Sequence, residues 1–559
     1  MHFCVSCTLM KRKESLLLLG FFLLNLMQAA FTDLTGDEAL YWMHWNNLDW
    51  GFRDHPPAIG TLIGMGYALF SNEIGARLLV VVAGTFTVWL TYKLTQPKRL
   101  WLFALLVLSM PFLNIYSFIA TPDAPLLLGV VLYFTALKLF MEKQDACHTL
   151  FLGIAMAVMV WSKYHGVFII VFSLLPLRKF WFNSKFWIAA LTGIVLFSPH
   201  IIWQIANDLP TIKFHLNDRN SDAWELKHIL GYAGGQFLVF NPFVFVLIIF
   251  VMISSKPANL FEKSLRWIIN GLLILFFFNS FRGRVEPHWT APLAIAMIYL
   301  IIKYWEARPP QRKMITGLST ITALILMGRI CMIVDILPPL YREFHRDKPK
   351  VLAIHQLAGE LPVCFMNTYQ LPSLYMFYNG GIAHSINNVE GGKNQYDYWN
   401  YNEAINKRPF LFVASYEAPG FTKDTVGKFA FDVMKYDDLP VMHGLKLWTD
   451  ESLYHYHLGD SAGIAASIIN KNSYAVNLND STYYIRWRAM FNHKKFNEAN
   501  EDIVIENLPT HLEPGESVRV VMKFKVPECP GKNYLMIATQ VDELPATYQS
   551  NKMRMMIEE

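Results

Sequence analysis

The sequence predicts a multi-pass α-helical membrane protein with a water-exposed C-terminal region, and three observations carry that reading. Apolar segments of membrane length recur up to Leu340, and none follows. Lys and Arg gather in clusters between alternate apolar segments. From Val351 onward the pattern changes to short apolar runs punctuated by Gly, Pro and Asn. The 53% apolar content is only slightly above that of soluble proteins because it averages these two halves.

A bilayer core is crossed by roughly 20 apolar helical residues. Segments that approach this length are Ser15–Phe31, Ile74–Leu94, Leu100–Ser117, Ala124–Phe140, Phe186–Ile205, Phe237–Ile253, Leu265–Asn279, Trp289–Lys303 and Met314–Ile336. The first is interrupted by Asn25 and Gln28 and is followed by further spans, so it is expected to be a retained helix and not a cleaved signal peptide. Cationic clusters mark the cytoplasmic side. They lie at Lys11-Arg12-Lys13, Lys93/Lys98/Arg99, Lys138/Lys143, Arg178/Lys179/Lys185, Lys256/Lys263/Arg266 and Arg308/Arg312/Lys313. With the N-terminus inside, Arg178 and Lys179 fall inside only if Leu150–Leu177 is a re-entrant pair turning near Lys163. About eleven membrane segments result, and the C-terminal region lies outside.

Most of the formal charge of +5 belongs to those clusters, and no basic block with interleaved aromatics suggests a nucleic-acid partner. Cys4 and Cys7 form a lone CxxC, a weak metal or redox signal, while Cys364 and Cys529 form the one pair in the external region.

Beyond the membrane part, "VLAIHQLAGEL" predicts a helix, "PVCFMN" a strand, "LPSLYMFYNGG" a helix ended by glycines and "PFLFVAS" a buried strand. In "SVRVVMKFKV" the residues Val518, Val520, Met522, Phe524 and Val526 share one face, the mark of a β-sandwich together with "STYYIRWRAMF" and "NKMRMMI". "YHYH", Tyr454 to His457, fits an aromatic strand edge. The expected domains are a membrane region 1–340 with an external loop 32–73, a small α/β domain 341–440 and a β-sandwich 441–559.

This topology brings the unusual residues to one face. Asp37, Glu38, Asp54 and His55 lie in the first external loop; Asp123 lies in "TPDAP"; Lys163 lies at the re-entrant turn; Arg282, Arg284, Glu286 and His288 lie in "FRGRVEPHW". Ionisable groups at membrane depth are functional candidates by default. Each also has a local structural role open to it. Asp37 and Glu38 suit the N-terminus of the helix in "EALYWMHW". Asp123 suits a helix cap, and Lys163 suits snorkelling to headgroups. Tyr41, Trp42, Trp45 and Trp50 suit either an interfacial belt or a sugar-stacking platform. Two acids and several cations converging beside an aromatic loop favour transfer of a group from a phosphate-bearing lipid.

The motifs "DEALYW", "LDWGFRDHPP", "GARLL", "TPDAPLLL", "WSKYHG" and "EPHWTAP" occur in an order that resembles bacterial membrane glycosyltransferases of the GT-C class. The resemblance is to the branch related to protein O-mannosyltransferases and to the transferase that adds aminoarabinose to lipid A, over residues 15–300. It implies a polyprenyl-phosphate sugar donor, inversion at the anomeric carbon, and the bacterial inner membrane with a periplasmic C-terminal region. It also implies that Asp37 lies at the reaction centre, with Glu38 beside it and Asp123 as the second acid. Lys163 falls on the donor-phosphate lysine and His288-Trp289 on an HW motif, with Arg284 in place of a usual basic residue. Tyr41, Trp42, Asp54, His55, Tyr164 and Trp289 are the candidates for lining the acceptor and sugar. The sandwich is not part of this pattern, and the acceptor stays open among lipid A, other glycans and proteins.

In such a displacement a hydroxyl acceptor needs Asp37 as base, whereas an anionic phosphate acceptor needs none. Asp37, Asp123 and His55 are candidate ligands for a divalent ion, although no ligand spacing identifies one, and no other cofactor is expected. The competing classes are a flippase or transporter for a lipid-linked sugar and a non-catalytic scaffold. Inverted repeats, expected of many transporters, are not apparent.

Overall fold

The computed structural model describes residues 12–559 except 208, 214–224, 310, 335, 388–392, 400, 415–419, 452, 493–498 and 551. Cys4, Cys7 and Lys11 lie outside the described residues. The chain divides into two compact units, Met1–His345 and Arg346–Glu559.

The first unit is helical. Its helices are α1 (Arg12–Phe31), α2 (Gly36–Asn46), α3 (Ala58–Tyr67), α4 (Glu73–Thr95), α5 (Leu100–Leu108), α6 (Pro111–Ile115), α7 (Asp123–Glu142), α8 (Ala146–Ser162) and α9 (His165–Leu174). They continue as α10 (Arg178–Trp181), α11 (Ser184–Ala206), α12 (Pro210–Lys213), α13 (Leu226–Phe240), α14 (Pro242–Ser254), α15 (Leu260–Asn279), α16 (Leu293–Trp305), α17 (Arg312–Val334) and α18 (Pro338–Phe344). Among the described residues five helices, α1, α4, α7, α11 and α17, are long and apolar enough to cross a bilayer. The count is six if α13 and α14, bent by 97°, form one span. In α4 and α7 more than half of the apolar window is buried (56% and 67%), against 22% in α1, α11 and α17, so α4 and α7 are central and the other three face outward.

Three apolar runs are broken where local chemistry requires it. Leu100–Ser117 divides before Pro111, which has no N–H for the helical ladder and holds Met110 in extended backbone. Phe237–Ile253 bends at Asn241-Pro242, where Asn241 takes φ 58°. There the Asn241 side chain caps α14 through the Val244 N–H (2.9 Å) and donates to the Ser109 carbonyl (2.5 Å). Leu150–Leu177 divides at Lys163-Tyr164, between α8 and α9. Arg329 of α17, deeply buried, donates to Asn25 Oδ1 (2.9 Å) and Gln28 Oε1 (3.3 Å) of α1, and its guanidinium lies over the Phe118 ring.

The second unit opens with α19 (Asp347–Ala358), β1 (Val363–Met366), α20 (Gln370–Asn379) and β2 (Ala383–Ile386), followed by β3 (Phe410–Ala414), β4 (Thr422–Val426) and β5 (Phe429–Tyr436). Their sheet runs β2-β1-β3-β5-β4, with β1 parallel to both neighbours. The remaining strands form two further main sheets. One includes Leu445–Thr449, Ser461–Asn470, Val504–Glu506 and Ser517–Lys525. The other includes Leu453–His457, Ile485–Asn492, Ala499–Asp502, Gly531–Val541 and Met553–Glu558. In Ser517–Lys525, Val520, Met522 and Phe524 are buried and Arg519, Val521 and Lys523 exposed, the two-residue period of a half-buried strand. "YHYH" lies on the edge strand Leu453–His457. One apolar core runs from Cys364 and Phe412 through Met522 to Ile537 and Ile557. Cys364 and Cys529 are both free thiols.

This unit also buries a polar cluster. His443 Nε2 lies 2.6 Å from Asp397 Oδ1, and the ring of the fully buried His384 is 5.7 Å from that of His443. Burial holds the His384 pKa down at about 3. Burial alone would raise that of Asp397, but the charges of His443 and Lys446, with hydrogen bonds, hold it well below the carboxylate range. Both pKa values are depressed in the folded state, so the stability they represent is complete above pH 6.5 and is lost as pH falls. The unfolding midpoint is therefore expected to drop as pH falls from about 6.5 towards 4, at up to about 1.4 kcal/mol per pH unit from His384 alone. Denaturant titration across that window checks this, and His384→Asn should flatten the slope.

Candidate active site at the start of the second helix

The start of α2 is built around Glu38. Thr35 and Glu38 form a capping box: the Glu38 N–H donates to Thr35 Oγ1 (3.3 Å), and the Thr35 N–H donates to Glu38 Oε2 (3.0 Å). The fully buried Glu38 carboxylate also receives Arg77 Nε at 2.7 Å, Arg77 Nη2 at 2.6 Å and the Ala120 N–H at 2.8 Å. Burial would raise its pKa, but Arg77 outweighs that and holds the carboxylate ionised, below its ordinary range. Arg77 turns its other donors to the end of α1, reaching the carbonyls of Ala29 (3.2 Å), Thr32 (2.7 Å) and Asp33 (2.8 Å). Glu38 is thus consumed in joining α1, α2, α4 and the segment before α7. Asp37, one residue earlier, is half-buried in the first turn of α2.

Three residues beyond the Ala120 anchor, Asp123 opens α7. Lys163, at the break between α8 and α9, donates to both of its oxygens, at 2.9 and 2.8 Å. Both residues are only 4% exposed, so they form a buried ion pair, which is neither the helix cap nor the snorkelling lysine that were the structural alternatives to their functional roles. Asp123 and Glu286 both lie close enough to Tyr116 for their charges to act on it. His288 packs against the adjoining rings of Phe112 (6.3 Å) and Tyr116 (6.4 Å), and Trp289 packs on His165 (5.1 Å). Arg284 is exposed and pairs with Glu286 at 2.9 Å.

The loop "LDWGFRDHPP" returns to the same region. Its Asp54 pairs with Arg53 (3.3 Å), and the Asp54 charge acts on the Tyr164 hydroxyl. His55 lies against Tyr41 (6.2 Å), while Trp42 is buried on Tyr67 (5.5 Å). Glu38 is therefore tied through Ala120 to the segment that bears Asp123, Asp123 pairs with Lys163, Asp54 acts on the adjoining Tyr164, and Glu286 and His288 meet Tyr116, while Asp37 adjoins Glu38 in the chain and Arg284 is left on an exposed pair.

Arg77 has no individual role in the sequence reading, although "GARLL" is one of the motifs. Its signal is a lone arginine inside the apolar run Ile74–Leu94. As metal ligands, Glu38 and Asp123 are already engaged by cations of the protein. Among the described residues no three His, Cys, Asp or Glu side chains cluster as a donor set.

The chain shares a GT-C fold with solved membrane proteins. The structure of ArnT from Cupriavidus metallidurans bound to undecaprenyl phosphate matches with a TM-score of 0.57 at 14% identity, over 75% of this chain and 97% of that one. Residues 54–203 match the family described as dolichyl-phosphate-mannose-protein mannosyltransferase. The lipid A galacturonosyltransferase RgtD of Rhizobium johnstonii is 21% identical over 310 residues, 52% of this chain and 65% of that protein, so the chain spans somewhat less than two thirds of this relative. All three comparisons support the resemblance to GT-C glycosyltransferases drawn from the six motifs.

Proposed function

We propose that the protein is an inverting glycosyltransferase that moves a sugar from a polyprenyl-phosphate donor to a lipid acceptor at the outer face of the inner membrane, with the C-terminal unit in the periplasm. One observation carries this reading: the half-buried Asp37 sits on a helix start locked by Glu38 to the segment that presents the buried Asp123–Lys163 pair. The names of the relatives, one bound to undecaprenyl phosphate and one acting on lipid A, support the donor and acceptor classes.

The acceptor oxygen attacks the anomeric carbon, the bond from that carbon to the phosphate oxygen breaks, and polyprenyl phosphate leaves with the electron pair. An ammonium has three N–H donors. Lys163 spends two on Asp123, which leaves one for the departing phosphate in a low-dielectric setting. The phosphate carries its charge without protonation, so no general acid is required. Asp37 accepts the proton of a hydroxyl acceptor or orients an anionic one.

The test incubates the full chain in nanodiscs with polyprenyl-phosphate-linked sugars and lipid A. Release of polyprenyl phosphate together with a heavier lipid is the expected result. A sugar–phosphate bond left intact in the presence of acceptor would point to a transporter or binding protein instead.

A further inference from the structure

We infer that Trp50, backed by Trp161 and Trp203, is a stacking platform for the sugar headgroup of a membrane-anchored glycolipid acceptor. The inference deepens the lipid-acceptor reading above and rests on it. Of the aromatics in the first loop, Trp42 is buried and Trp45 lies flat on α3, where a Cβ on Gly64 would come within 1.8 Å of its ring. Trp50 is different, with 58% of its surface exposed.

That exposure is built. Asp49 Oδ1 accepts the Trp50 N–H (2.7 Å), and Asp49 Oδ2 accepts Trp203 Nε1 (2.6 Å). His200 Nδ1 lies 2.7 Å from the Trp50 carbonyl, which can only accept, so that nitrogen carries the proton and Nε2 receives the Tyr164 hydroxyl at 2.6 Å. Gly51 permits this approach, because a Cβ there would lie 2.3 Å from the Trp203 ring. The Trp161 ring is 6.1 Å from that of Trp50, and its Nε1 donates to Leu196 of α11 (3.0 Å). A loop tryptophan serving only as a membrane anchor needs no such clamp.

A pyranose has an apolar face that stacks on an indole and hydroxyls that reach neighbouring carboxylates, and Asp54 is supplied by the same loop. The hydrogen-bond chain from Trp50 through His200 to Tyr164 ends one residue from Lys163, so the platform is continuous with the candidate active site. From the platform α11 runs on with Ile194, Val195, Ile202 and Ile205 exposed, a surface suited to acyl chains. A headgroup on Trp50 would thus keep its lipid tails in the bilayer.

The test measures binding of purified lipid A to the full chain in nanodiscs with no sugar donor present, so that turnover does not interfere. Trp50→Ala is expected to weaken binding by about tenfold, with Trp50→Phe recovering most of it. Trp187→Ala, an equally exposed tryptophan at the other end of α11, should leave binding unchanged. Unchanged lipid A affinity in Trp50→Ala, or equal losses in Trp50→Ala and Trp187→Ala, would overturn the platform and make Trp50 an interfacial anchor. Loss of binding without transfer in the wild type would instead retain the platform and reject the enzyme.

Discussion

Replacing Asp37 by Asn is expected to lower the rate of transfer by about a hundredfold or more, the scale of a lost general base. Expression and unfolding midpoint should be unchanged. The capping of α2 is carried by Thr35 and Glu38, and the amide keeps the shape of the carboxylate. The form of the loss reports the acceptor chemistry. With a hydroxyl acceptor kcat falls, because no group takes the proton. With an anionic phosphate acceptor no base is needed, and the main change is in acceptor KM. Steady-state kinetics with the two acceptor types separates these, and wild-type kcat and KM with both would remove Asp37 from the reaction.

The second large effect lies at Glu38 and Arg77. Arg77→Leu leaves a fully buried carboxylate without its counter-ion, which costs about 3–5 kcal/mol. The unfolding midpoint should fall sharply. Combining it with Glu38→Leu removes the stranded charge and should restore much of that loss, since a buried ion pair and an apolar pair of similar volume are often close in stability. Activity should not return in the double variant. Without the Glu38 carboxylate the Ala120 N–H loses its acceptor, and the helix start bearing Asp37 is no longer held to the segment bearing Asp123. Recovery of both stability and transfer would show that Glu38 and Arg77 only support the fold.

Much of the candidate site was legible because its residues break an apolar background. Asp123 and Lys163 stand out in runs that otherwise exclude charge, Asp37 and Glu38 follow directly on an apolar run, and each of the four lies at a helix start or helix break. What they bond was not legible. Glu38 and Asp37 are adjacent and chemically alike, yet one is saturated by Arg77 and two backbone amides while the other is half-buried. Adjacent helical residues do not face the same way, and which of two neighbours meets α4 depends on how that helix packs. Likewise three tryptophans in one loop read as equivalent until α3 covers Trp45 and Tyr67 covers Trp42.

The sequence by itself determined the two-part architecture, the strand alternation of the C-terminal unit and the positions of the candidate site residues. These follow from hydrophobic length and period, which are local properties of the chain. Only the tertiary structure decided that Lys163 pairs with Asp123 across 40 positions, that Arg77 holds Glu38 across 39, and that Trp50 alone among its neighbours is clamped in an exposed pose. Those outcomes rest on which helices pack together, and in a low-dielectric interior each buried charge must find a partner wherever the packing places one.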